Sequence, residues 1–279
     1  MLRRISYIFL CAVPFLNFAV VGIRALRVAG VYQAVGVAYF GAIAVAAWIL
    51  GGRTLIRGAE QERRISLAGL LLLVPSTLMA LLWVGLGPPW EATPVENRMR
   101  YLVLLIDAVA VTAGFIGLGQ ILQEAGERLY SSLASTFAIL AGGAYVVWNC
   151  FLLGFYVIKA RGEQTPAAFR FLTEPIEMLL FIACVLTYLA TLLFAICLGR
   201  VGLLGRRASR AYMIANTVFL ALILTRGLAF PDPTGSSTPW YLNLAFIAGI
   251  PAVPWIMPYL LGVVLLRRAE SEPARTIKA

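Results

Sequence analysis

The chain has 279 residues, 61% of them hydrophobic and only 13% charged, with a mean hydropathy of +0.87. Soluble domains carry roughly 25% charged residues, so half that share, spread over long apolar runs, makes lipid the main solvent. The formal charge of +10 comes almost wholly from arginine. Those arginines sit in short segments between apolar runs, the arrangement of topology-setting charges and not of a nucleic-acid-binding face.

Eight apolar segments follow in chain order, at about 5–23, 31–50, 66–86, 101–120, 132–158, 178–198, 211–230 and 241–266, each long enough to cross ~30 Å of hydrocarbon as a helix. The first, MLRRISYIFLCAVPFLNFAVV, has the basic start and apolar middle of a signal peptide. It lacks a small-x-small cleavage site, so it reads as a retained helix; cleavage would leave seven. The expected fold is therefore a single all-α, polytopic transmembrane bundle over 1–268. A short basic tail, 269–279, is expected to be disordered.

With eight crossings both termini share one side. That side carries Arg3, Arg4, Arg53, Arg57, Arg63, Arg64 and Arg128. It also carries Arg200, Arg206, Arg207, Arg210, Arg267, Arg268, Arg275 and Lys278. Fifteen basic residues against eight on the other side place both termini in the cytoplasm. Heavy use of Arg and Ala with little Lys suits a bacterial genome rich in G and C, hence a bacterial-type inner membrane. The opposite loops, GPPWEATPVENR, GEQTPAAFRFLTEP and FPDPTGSSTPW, are rich in helix breakers.

The second segment carries Ala34, Ala38, Ala42 and Ala46, one every four residues. Such a ridge lets two backbones approach closely in lipid. It is read first as an internal packing face, and alternatively as a contact for a second copy or another membrane protein. The last segment, AGIPAVPWIMPYLLG, holds Pro251, Pro254 and Pro258. Each removes a backbone donor and clashes with the preceding turn, so this helix is expected to be kinked or partly unwound. Broken helices in transporters offer backbone groups to a substrate; a static kink packed against its neighbours is the plainer account.

Several chemistries are excluded. The chain has no histidine, which removes His-ligated haem and metal sites and Ser-His-Asp hydrolysis. There is no glycine-rich phosphate loop. Cys11, Cys150, Cys184 and Cys197 lie singly in apolar runs and read as apolar fillers. An enzyme is thus the weakest class, and no cofactor is expected.

One constellation stands out. Asp107 lies in YLVLLIDAVAVTAG, an otherwise apolar stretch, and the only other aspartate is Asp232 in the last outer loop. Asn149, Arg226, Glu177 and Asn243 fall in the same outer half of their segments, and so does Asn17. A charge at depth is costly and seeks a partner, and Arg226 is the cation of similar depth. Three accounts follow: a ligand or proton site open to the outside, a buried ion pair that fixes packing, or a protonated Asp107. Glu177 has a simpler role available, beside Pro175 at a helix start where the dipole favours negative charge.

The first functional reading is therefore binding or transport of a small polar solute or proton through an outward-facing pocket. The second is a non-catalytic membrane subunit or sensor acting through helix–helix contacts. Beyond the bilayer, the partners considered are a second copy or another membrane protein, and no nucleic acid.

Overall fold

A computed structural model gives the architecture; it describes residues 1–21, 31–86, 92–164, 167–228 and 243–269. Among these residues every regular element is helical, with no strand. In chain order they are α1 (Leu2–Val21), α2 (Val31–Ala47), a π-helical turn (Trp48–Gly52), α3 (Thr54–Arg57), α4 (Glu60–Leu86) and α5 (Pro94–Glu124). There follow α6 (Arg128–Ala160), α7 (Ala167–Arg200), α8 (Arg206–Leu228), α9 (Leu244–Ala248) and α10 (Ile256–Ala269). Among the described residues six helices are long and apolar enough to cross a membrane, the α2–α3 run and α4 to α8.

The helices outrun the apolar segments that announce them. Hydropathy marks only the part that suits hydrocarbon, whereas backbone hydrogen bonds carry the helix on into polar sequence. α5 begins at Pro94, seven residues before the apolar run, because Thr93 caps it. The Thr93 side chain accepts from the Glu96 backbone N–H, and the Glu96 carboxylate accepts in return from the Thr93 N–H. Pro94 then occupies the first helical position, where no donor is needed. α5 and α6 are joined by a tight turn at Gly126, whose φ of 97° favours glycine.

Consecutive helices from α4 to α8 pack side by side, and α10 folds back against α4. α1 and α2 cover α4 from the other side. Two apolar clusters result. The larger joins α4 to α7 through residues such as Leu72, Phe115, Tyr188 and Phe194; the smaller joins α1, α2 and α4 through Leu10, Ile43 and Leu73. α10 serves both. Its Leu261 and Leu265 enter the first cluster, and its Tyr259, Val263 and Leu266 enter the second. α4 and α10 meet almost backbone to backbone: a Cβ on Gly262 would lie 2.7 Å from the Gly69 carbonyl oxygen. Only small residues permit that approach.

The alanine ridge faces the other way from the first expectation. Ala34, Ala38 and Ala42 are exposed, and only Ala46 is buried. The inward face of α2 is instead Gly36, Ile43, Ala46 and Ala47, continued by Leu50 of the π-helical turn. Lipid and protein core are equally apolar, so a row of small side chains does not say which of the two it meets. The tail from residue 270, and Asp232, lie outside the described residues.

Candidate functional site

Prolines from three separate segments meet at one cavity. Pro14 in α1, Pro75 in α4 and Pro251 between α9 and α10 all border the same cavity, about 300 Å³ in volume. A proline inside a helix frees a carbonyl and pushes the preceding turn aside. Three such positions border this one gap in the packing.

The α9–α10 segment does more than bend. Helix stops at Ala248 and resumes at Ile256, with turns between. Pro251 and Pro254 fall inside the interruption, whereas Pro258 sits in the first turn of α10, where a missing donor costs little. The carbonyls released at the break are met by side chains of α7. Tyr188 donates its hydroxyl to the Ala248 carbonyl at 2.9 Å, and the Cys184 thiol donates to the Gly249 carbonyl at 3.8 Å. Tyr145 of α6 stands 3.4 Å from the Cys184 sulfur and packs its ring 5.0 Å from that of Trp255. Cys184 is therefore more than an apolar filler: with Tyr188, one turn along α7, it braces the broken helix.

Charged and polar side chains converge on this cavity. Arg100 of α5, Glu177 of α7 and Arg226 of α8 all line it, with Asn17 of α1 and Trp148 of α6. Arg100 is only 3% exposed and donates to the Asn97 side-chain oxygen. The Arg226 guanidinium lies 5.0 Å from the centre of the Phe246 ring and directly over Gly249, where a Cβ would collide with it. Asn17 donates to the Ser76 carbonyl at 2.9 Å. Its own side-chain oxygen, and the Trp148 indole N–H, are buried at the cavity wall with no hydrogen-bond partner. Buried polar atoms ordinarily have one.

The structure thus draws together two of the residues singled out from sequence, Arg226 and Glu177, and sets three apart. Asp107 is fully buried, and neither carboxylate oxygen has a hydrogen-bond partner. The expected Asp107–Arg226 pair is therefore not formed. Asp107 shares its helix face with the cavity-lining Arg100 and Leu104, two turns beyond the first and one beyond the second, and is not itself a lining residue. Gly114, two turns further along that face, packs against Leu71 and Leu72, so this side of α5 meets α4. Asn149 is also fully buried; it donates to the Tyr145 carbonyl of its own helix at 2.9 Å and does not line the cavity. Asn243 caps α9, accepting from the Phe246 N–H at 3.0 Å. Glu177 is not at a helix start. α7 begins at Ala167, which puts Pro175 and Glu177 inside the helix and removes the dipole account.

Arg100, Pro14 and Pro75 were missed from sequence. Arg100 looks like a loop charge because the apolar run starts one residue later, and only the Thr93-Pro94-x-Glu96 cap signals that the helix already covers it. Among the described residues no group of three or more His, Cys, Asp or Glu side chains is placed to hold a metal ion.

Long apolar helices, charged side chains gathered at one cavity and a proline-broken helix together mark a helical integral membrane protein. No known protein family, curated protein or solved structure matches the chain.

Proposed function

We propose that this protein binds a small solute in the cavity and passes it, or a proton, across a bacterial-type inner membrane. The observation that carries the reading is the cavity itself. Arg100, Glu177 and Arg226 reach into about 300 Å³ beside a broken helix. Bundle cavities with a few convergent polar groups are the common form of a ligand site, and broken helices mark binding sites in transporters. If the chain crosses eight times, the fifteen-to-eight bias of basic residues supports cytoplasmic termini. On that orientation the cavity lies in the outer half of the bundle.

A filled-cavity variant tests this. Leu180 is a buried wall residue, and Leu180→Trp should occupy part of the space. In a thermal-shift survey of small solutes, any that bind here should stabilise the wild type and lose that effect in Leu180→Trp. Solutes that stabilise both proteins equally, or none that stabilises the wild type, would count against the cavity as the site.

A second reading, a non-catalytic subunit, draws on the exposure of Ala34, Ala38 and Ala42. In a cysteine-free background, Ala38→Cys should then form disulfide-linked dimers in the membrane; only monomer would reject contact between copies through this ridge.

A further inference from the structure

Asp107 holds nothing in the fold together. It is fully buried, and neither side-chain oxygen has a hydrogen-bond partner. Among the described residues it enters no ion pair, with the charged side chains of the cavity or with any other. α4, α6 and α7 pack against α5. α4 has no titratable side chain beyond Arg64. Of those that α6 and α7 hold near this depth, Tyr145 and Cys184 meet each other, Cys150 is exposed and Glu177 lines the cavity. A carboxylate with neither counter-ion nor donor is not kept as a buried ion; it takes up a proton.

The position of Asp107 gives that proton somewhere to go. Leu104 and Val111 flank it on the same helix face, one turn to either side. Leu104 lines the large cavity, about 4.5 Å along the helix axis from Asp107. Val111 lines a second space of about 10 Å³, room for a single water at most, with Thr112, Tyr145 and Thr187 around it. Trp255, in the helix break, borders both. The acid thus stands between two spaces along one face of α5. A valine would fill its place without an unsatisfied oxygen, so what the acid adds is the ability to bind and release a proton. Ionisable side chains embedded in membrane helices serve proton relays in this way.

We propose that Asp107 is a proton-binding site loaded from the cavity: a neutral carboxylic acid in this structure, which passes its proton to water admitted through the cavity and takes it back. Only the O–H bond breaks and re-forms. This rests on the reading of the protein as a carrier of a solute or a proton, and names the group that holds the proton.

The test is infrared difference spectroscopy on the full chain in lipid nanodiscs. At neutral pH the wild type should show a carboxylic-acid C=O band that moves on isotope labelling of aspartate and is absent from Asp107→Asn. In heavy water that band should shift at least about tenfold faster than the α5 backbone amides exchange. Leu180→Trp, which takes up part of the cavity, should keep the band and slow its shift; Met79→Phe serves the same purpose where Leu180→Trp does not fold. An absent acid band, or one that survives in Asp107→Asn, overturns the proposal. So does a band that shifts no faster than the amides, which marks a sealed acid, or one whose shift the cavity variants leave unchanged, which is loaded by another route. If no solute stabilises the wild type while Asp107 exchanges through the cavity, the solute reading falls and the proton site stands.

Discussion

Asp107 is held at a cost to stability, and the size of that cost can be worked from its surroundings. The residue has no exposed surface, and both side-chain oxygens are without a hydrogen-bond donor. A buried polar group left unsatisfied costs about 1–3 kcal/mol, and an acidic side chain mid-helix in a bilayer costs about 2.5–3.5 kcal/mol on insertion scales. Asp107→Val removes both oxygens for a small increase in volume. It should stabilise the bundle by about 1–3 kcal/mol, less any loss from overpacking. Asp107→Asn keeps the shape and stays polar, so it should fall between wild type and Asp107→Val. The assay is SDS-driven unfolding in mixed micelles, followed by helical circular dichroism. If both variants lose more than about 1 kcal/mol, the carboxylate has a structural partner and the reasoning is wrong. If Asp107→Val is more stable yet impaired in moving solute, the carboxylate is retained for function at the expense of stability.

Other consequences follow from the same geometry. Asp107→Asn and Arg226→Gln should add in a double-mutant cycle to within about 0.5 kcal/mol, because no bond joins them; a coupling above about 1 kcal/mol would restore the ion pair. Gly262→Ala puts a Cβ 2.6 Å from Leu73 Cδ1 and 2.7 Å from the Gly69 carbonyl oxygen; unfolding should show a loss of about 1–3 kcal/mol. Tyr188→Phe strips the Ala248 carbonyl of its donor. It should cost about 1–3 kcal/mol and raise hydrogen exchange selectively around 249–255.

How far the site could be read from sequence depended on whether the signal was local. Three prolines in fifteen residues cannot share one unbroken helix, and the chain leaves helix between Ala248 and Ile256. The apolar runs likewise mark where helices lie, though not where they end: α7 starts eleven residues ahead of its expected span, carrying Glu177 well inside. The levels at which separate helices disrupt one another are not local. Pro14 and Pro75 are unremarkable singly, and only packing places them beside Pro251. Facing is equally hidden in a membrane protein. The contrast between inside and outside that orients an amphipathic helix in water is absent when both sides are apolar. This is why the alanine ridge turned outward, and why Arg226, matched to Asp107 by depth, instead packs on Phe246 over Gly249.

On the proposed function, the cavity at the broken helix is aqueous and open to the outer side. Ala252 lines it from within the break. With the four native cysteines replaced, Ala252→Cys should react with a membrane-impermeant thiosulfonate added to intact cells, and should resist the same reagent in inverted vesicles. Labelling from the inner side alone, or from neither side, would contradict the account.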